Sequence, residues 1–337
     1  MATVGGSNAT LLDVAKRMDP DGRISAIAEL LSQENEILMD MPWFEGNLPT
    51  GHVTTVRTGL PAVAWRKLNA GVPASKSTTA QITETCGMLE AFGQVDKDLA
   101  ELNGNTAAFR LSENMGFMES LNQTMASTMF YGDTAVYPER FLGLAPRYTT
   151  GVTATAANGQ NIISAGGSAN LTSIWLVGWG PNSVHGIYPK GSVAGLRHED
   201  LGLETVQDAA GNNFRAYQDH YQWKCGMALR DWRYVVRIAN IDVTALEAGT
   251  TGTPADPDLL MLMVRSLERI QSVTGVTPAF YANRTVRSFL RQQAIRGTQQ
   301  STLTYDELGG RPMVSFSGVP VRRVDAILST ETAVPMS

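Results

Sequence analysis

The sequence predicts an α+β protein in which an extended arm and a long β-hairpin lead into one long helix and then a mixed domain. Three observations carry this. Residues 105–131 (NTAAFRLSENMGFMESLNQTMASTMFY) place Leu111, Met115, Met118, Leu121, Met125 and Met129 three or four apart, the stripe of a single α-helix. Residues 52–95 break into short Thr- and Val-rich stretches that alternate roughly every second residue around a polar tip. Beyond residue 133, strand-like and helix-like stretches are interleaved.

Taken in order, residues 10–40 carry one helical signal. Asp21 is placed to cap it, and Ile24, Ile27, Leu30, Leu31 and Leu38 recur at helical spacing up to Met41-Pro42. WFEGNLPTG (43–51) is punctuated by Gly and Pro and reads as extended. In the hairpin, HVTTVRTG, AVAWRKL, TTAQITETC and MLEAFGQV are the strand stretches, and NAGVPASKS (69–77) is the tip. A two-stranded ribbon is marginal alone and exposes unpaired edges, so it needs a partner, either its own domain or another subunit. Asn105 or Thr106 can cap the long helix and Gly132-Asp133 can end it. About 25 residues at 1.5 Å each make a rod of roughly 37 Å.

After the rod, YPERFLG (137–143) is a connector, and residues 149–170, rich in Thr, Ala, Gly and Asn, read as a surface loop. Residues 174–177 (IWLV) predict a buried strand, and GWGPNSVHGIYPKG carries several breakers. Residues 196–217 read as polar and irregular, and 221–229 and 232–242 as strands. Asp256-Pro257-Asp258 starts a helix: an Asp cap, Pro in the first turn, and a second acid near the positive end. That helix turns Leu259, Leu260, Met263, Leu267 and Ile270 inward and stops at Gly275. Residues 277–281 form a strand, and 283–293 a helix with Arg284, Arg287 and Arg291 along one face. GGRPMVSF and VPVRRVDAIL close the chain as a hairpin about Gly318.

At 337 residues the chain can bury a large core, as two domains or one with large excursions. A net charge of −5 gives no sign of a nucleic-acid binder. No apolar run approaches the length that spans a bilayer, and the first residues, MATVGGSNAT, lack the charged-then-apolar pattern of a secretory signal. Cys86 and Cys225 are isolated, which indicates neither a disulfide framework nor a cysteine metal site. Fourteen Met residues suit surfaces that repack among slightly different neighbours, although core filling explains each one as well.

No catalytic signature is present: no GxxxxGK[ST], GxSxG, HExxH or CxxC, and Gly178-Trp179-Gly180 lacks the third Gly of a dinucleotide loop. No cofactor is expected. His198 with Glu199 and Asp200 offers imidazole and carboxylates to a metal, but in a spacing typical of a solvated loop. Asp19-Pro20-Asp21-Gly22 resembles the start of a calcium loop without its later ligands, and a helix cap explains it better. Asp96 and Asp98 form a carboxylate pair that suits the positive end of a helix. The arginines at 284, 287 and 291 suit acidic groups of an adjoining subunit, phosphate, or solvent. Lys76 in the tip could form an isopeptide crosslink with an Asn on a neighbour. No Asn follows Asn283, so the closing hairpin supplies none.

The order arm, long hairpin, long helix, mixed domain and return hairpin resembles the Hong Kong 97-type fold of tailed-phage major capsid proteins. The closer resemblance is to a capsid-protein group of podovirus-like phages and prophages. DPDGRISAIAELLSQENEIL, LPTGHVTTVRTGLPAVAWRKLNAGV, QVDKDLAELNGN, SVHGIYPKGSVAGLRHEDLG, DWRYVVRIANID and FSGVPVRRVDAI carry it, spanning nearly the whole chain. The resemblance implies an N-terminal arm at 1–50 and an extended E-loop hairpin at 51–95 lying over a neighbour. It implies a peripheral domain at 96–132 and 310–337, with the long helix as spine, and a mainly axial domain at 133–309.

It further implies a virion protein, assembled in the host bacterial cytoplasm, whose copies form pentamers and hexamers closing an icosahedral shell around double-stranded DNA. A portal belongs to such a head. The hairpin starts near residue 51, leaving no room for a fused scaffolding segment, so a separate scaffolding protein is expected. The shell is expected to be non-covalent, with room for a decoration protein. Trp43 and Phe44 in the arm, Trp65 in the hairpin, Lys76, Arg284, Arg287 and Arg291 are the candidate intersubunit contacts. Packing within the subunit is the alternative for the aromatics. Two other readings remain at this stage: an encapsulin-like compartment shell, whose N-terminal helix pattern is not evident here, and an enzyme with a site around His185 and His198.

Overall fold

The computed structural model describes residues 32–102, 106–151, 157–208, 210–248, 258–296, 303–308 and 311–336. The capping Asp21, the Asp19–Gly22 motif and Ile24 to Leu31 lie outside them. Fourteen strands and six helices occur in the described residues. They are α1 (Ile37–Asp40), β1 (Trp43–Glu45), β2 (Gly51–Gly59), β3 (Thr78–Thr85), β4 (Gly87–Asp96), α2 (Lys97–Ala100) and α3 (Thr106–Tyr131). Then come β5 (Ile162–Ser164), β6 (Leu171–Trp179), β7 (Val184–Tyr188), β8 (Leu196–Gln207), β9 (Asn213–Leu229), β10 (Val235–Asp242) and α4 (Val243–Ala248). The last are α5 (Leu259–Arg269), β11 (Thr277–Ala282), α6 (Arg284–Arg296), β12 (Leu303–Leu308), β13 (Arg311–Phe316) and β14 (Val319–Arg323).

The body is a mixed sheet with the path β12-β13-β14-β11-β6-β7-β9-β4, to which β1 adds at β7, β10 at β6, β5 at β10 and β8 at β9. Strand β6 is buried from end to end because both faces of the sheet are covered. Its alternation divides two cores. Trp175, Val177 and Trp179 join Val235, Ala239, Ala279 and Tyr281 on one face, against Met125, Met129 and Phe130 of α3 and Ile37 of the arm. Ile174 and Leu176 join Val236, Ile238 and Phe280 on the other, under Leu259 and Met263 of α5 and Val286 and Leu290 of α6. The ribbon β2–β3 is a separate two-stranded sheet.

The long helix stands where its periodicity placed it, but its stripe is only half buried. Leu121, Met125 and Met129 are in the core, whereas Leu111, Met115 and Met118 are 64%, 55% and 52% exposed. The N-terminal half turns a different side, Phe109, Arg110, Asn114 and Phe117, to β4 and β9. Arg110 and Asn114 hydrogen-bond Asp219, and Phe117 stacks on Tyr221. The helix ends at Gly132, where a Cβ would lie 2.4 Å from the Phe141 carbonyl oxygen.

Several expectations are corrected. Residues 32–36 are not helical, because their backbone bonds the closing segment instead: Glu36 N–H to Arg323 O, and Asp325 N–H to Glu34 O. Among the described residues before Pro42, only the single turn α1 is helical. The stretch AVAWRKL is not a strand; the ladder stops at Gly59–Thr78, and residues 60–77 form an irregular tip. Strand β4 leaves the ribbon to pair with β9. Residues 149–170 include the 3₁₀ turn Ala157–Asn161 and the buried strand β5, paired with β10. Residues 196–217 are not irregular. They form β8 and the first part of β9, joined at the Asp208–Asn212 turn. Their polarity misled because most of β8 is solvated and its inner side is held by polar pairs, Arg110 of α3 with Asp200 and Asp219.

Residues 232–234 are a 3₁₀ turn rather than strand. Asp258 itself caps α5, accepting from Met261 N–H at 3.2 Å, while Asp256 and Pro257 lie outside the described residues. The helix ends at Arg269, where Ile270 turns extended into the core, rather than at Gly275. The closing hairpin is real but has a third strand, β12.

Candidate intersubunit surfaces

The ribbon is fixed at its base and free of the body along its length. Arg147 holds Glu84 of β3 with two parallel bonds of 2.6 Å, both side chains being largely buried. Such a bidentate fork fixes direction as well as distance. Asn47 clips the start of β2 through both Val53 backbone groups, each at 2.8 Å. Beyond this base, residues 60–77 fold only on themselves: Ser75 Oγ donates to Ala62 O and Arg66 Nε to Ala70 O. They hold out Leu60, Val63, Trp65 and Leu68, each more than 80% exposed, with no core beneath. Trp65 and Lys76, both expected at an interface, are exposed on this tip.

The two arm aromatics part company. Trp43 lies across β7 with its ring over Gly186, where a Cβ would come within 2.6 Å of it, and leans on Trp223 at 6.3 Å. Its surface is spent inside the subunit. Phe44 points the other way and is 40% exposed, its ring centroid 5.1 Å from that of His185 in an edge-to-face contact. On α6, capped by Asn283 Oδ1 accepting from Val286 N–H, Val286 and Leu290 face the core. Arg284 and Arg291 are exposed on the side opposite, and Arg287 is half-buried.

The residues considered for chemistry are occupied structurally. His198 and Asp200 point to the same face of β8 and Glu199 to the other. His198 Nε2 lies 2.9 Å from Asp219, while Arg110 bridges Asp219 at 3.1 Å and Asp200 at 2.7 Å. The Arg110 hydrogen bond holds the Asp200 carboxyl below its usual range. Asp96 caps α2 through the amides of Asp98 and Leu99. His185 is buried on β7, apart from His198, with its Nδ1 unpartnered among the described residues and His52 at 6.1 Å; burial pushes its pKa down to about 4. Among the described residues no group of three or more His, Cys, Asp or Glu is placed to hold a metal ion, and no helix is long and apolar enough to cross a membrane.

Sequence reasoning missed the charges that hold the surfaces in place: Arg110, Asp219, Arg147, Glu84, Arg237 and Glu331. One signal was available. Arg237 interrupts the apolar run at the start of β10, and a charge in a buried strand implies a partner. Nothing in the sequence says that the partner is Glu331, 94 positions away.

A family model, Major capsid protein GP7, matches residues 19–335. The chain belongs to this major capsid protein family. Among solved structures, this capsid protein is similar to a chain of bacteriophage Epsilon15, with 38% identity, 99% of each chain covered and a TM-score of 0.76. More distant likenesses include the bacteriophage JBD30 capsid (12% identity, 88% of this chain and 92% of that one, TM-score 0.47). Another is the SrpI encapsulin of Synechococcus elongatus PCC 7942 (10% identity, 70% and 98%, TM-score 0.41). Neither of these two bears on the assignment. No curated protein matches the chain. The capsid protein has the Hong Kong 97-type fold that its order of elements suggested, and it is a structural component of the virion.

Proposed function

We propose that copies of this protein assemble as pentamers and hexamers into an icosahedral phage head around double-stranded DNA, with the ribbon tip and the exposed side of the arm reaching onto neighbours. The observation that carries this is the tip. Four large apolar side chains, Trp65 among them, stand on an element anchored by a buried ion pair yet with no core of its own. A patch of that kind on a soluble protein marks a contact surface. On this reading residues 1–50 are the arm and 51–95 the E-loop. Residues 96–132 and 310–337 are the peripheral domain, and 133–309 mainly the axial domain. Phe44, Lys76, Arg284, Arg287 and Arg291 lie at or near interfaces, and Trp43 seats the arm that carries Phe44. The role is structural rather than catalytic, since His185 is taken up by packing and His198 by its hydrogen bond with Asp219. A separate scaffolding protein and a portal are the expected partners, with room for a decoration protein, the DNA being contacted without sequence preference.

Negative-stain microscopy of the chain expressed with its genomic neighbours tests this. Closed particles containing DNA are expected. Particles loaded with an enzyme cargo and no DNA would favour a compartment shell. A soluble, catalytically active monomer with no particles would sink the capsid assembly.

A further inference from the structure

Near the base of the ribbon lies an open cleft of about 770 Å³. The connector that follows α3, from Tyr131 to Thr149, forms one wall, and the closing segment from Leu328 to Pro335 forms the other. Leu142, Pro146, Leu328 and Pro335 make it apolar, and the buried Arg237–Glu331 pair lies at its floor with its opposite charges already matched. Asp133 is the remaining carboxylate of the lining. Its Oδ1 accepts the Ala135 amide at 2.9 Å, and no Lys or Arg pairs with it among the described residues. A large, mostly apolar cleft with one uncompensated negative charge is suited to a bulky side chain accompanied by a cation.

The ribbon tip has the matching properties. Between Val53 and Thr83 the sequence carries Arg57, Arg66, Lys67 and Lys76 and no acid, in a chain whose net charge is −5. Trp65, fully exposed, stands immediately before Arg66 and Lys67. The tip does not meet the cleft of its own chain. Arg147, next to the lining residue Pro146, holds Glu84 opposite His52. From His52 to Gly59 the ribbon runs seven steps of about 3.4 Å, so the tip begins roughly 24 Å from that base. We propose that Trp65 of one copy seats in the cleft of the next copy, with Arg66 and Lys67 beside its Asp133, an inference that rests on the tip's place at an interface. An aromatic anchor in a pocket supplies the energy of such a contact, and the charge match fixes which way it docks. Because tip and cleft are different patches of one chain, the contact is head-to-tail, and repeated around an axis it closes a ring.

Two measurements on particles of the full-length chain, expressed with its genomic neighbours, test this. In the first, the photoreactive residue p-benzoylphenylalanine stands in place of Trp65 and the particles are irradiated. Covalent ladders longer than a dimer are expected, with position 65 linked to peptides from 131–149 or 328–335. Links to another surface of a neighbouring copy overturn the cleft as the docking site and leave the tip at an interface. Unlinked monomers from intact particles overturn both. The second measurement is particle yield. Asp133→Asn, which keeps the acceptor for the Ala135 amide, should lower the yield with the urea midpoint of the soluble chain unchanged. Asp133→Lys should lower it several-fold, and adding Arg66→Asp and Lys67→Asp should restore most of the loss. Normal yield from both single variants overturns the proposal, as does a triple variant that folds but regains nothing.

Discussion

Arg237 projects from β10 into the face of the sheet packed on α3, a position that would be prohibitive for a lone cation. It is tolerated because each of its three nitrogens has a partner. Nη2 reaches Glu331 at 2.8 Å, Nη1 the Tyr148 carbonyl at 2.8 Å and Nε the Ser173 hydroxyl at 3.1 Å, with the Trp175 ring 5.0 Å away. Glu331 also accepts from Tyr131 and Ser173, and burial followed by this carboxylate pushes the Tyr131 phenol far above its usual pKa. Removing one member of such a pair strands the other, so Glu331→Ala should cost about 3–5 kcal/mol, read from urea midpoints. Glu331→Gln, which keeps hydrogen-bonding capacity, should cost less. His185 supplies a pH dependence. Its folded pKa, lowered to about 4 by burial, lies below the ordinary value of 6.5, so the unfolded chain takes up the proton first. Its contribution to stability is full above pH 6.5 and is lost as pH falls toward 4. His52, also lowered chiefly by burial, adds in the same direction. His185→Phe should therefore lose less stability than wild type between pH 7 and 4.5 in parallel urea titrations.

At the scale of elements, what was legible in the sequence depended on what covers each face. The long helix, β6, β11 and the β13–β14 hairpin are covered by apolar groups, and their periodicities showed them. The β8–β9 hairpin hid because the polar groups Arg110, Asp219, His198 and Asp200 meet on its inner face, so alternation of polar with polar gave no period to read. The helix stripe was legible but its direction was not. Asn114 and Phe117 turn inward where Met115 and Met118 do not, and only the position of β9 decides that. The tip's exposure could not be read either, since a ladder that stops at Gly59 leaves no compositional mark. The arm strand β1 depends on one absent side chain. A methyl group at Gly186 would meet the Trp43 ring within 2.6–2.9 Å. Gly186→Ala should displace β1, speed amide exchange over residues 43–46, and cost about 1–3 kcal/mol, as overpacking does. Combined with Trp43→Ala, it should cost less than the sum of the two, because the clash is then gone.

At the scale of the molecule, folding and reach are separable. The ribbon contributes none of the large fully buried side chains, so deletion of residues 69–77 should leave the urea midpoint of the isolated chain unchanged while assembly into shells declines. Normal shells of normal stability from the deleted chain would remove the tip from the interfaces. The body is tied in the opposite manner. Residues 34–36 bond residues 323–325, Glu331 bridges Leu171, and Asn240 holds Val334 through both its oxygen and its nitrogen. These links fix an order of events during synthesis. A nascent chain whose residues 320–336 are still inside the ribosome has a naked flank on its central sheet, an unmatched Arg237 and an arm with nothing to lie against. The body therefore closes only once residues 320–336 are in place, and a chain cut short at residue 319 should fail to give a cooperative urea transition.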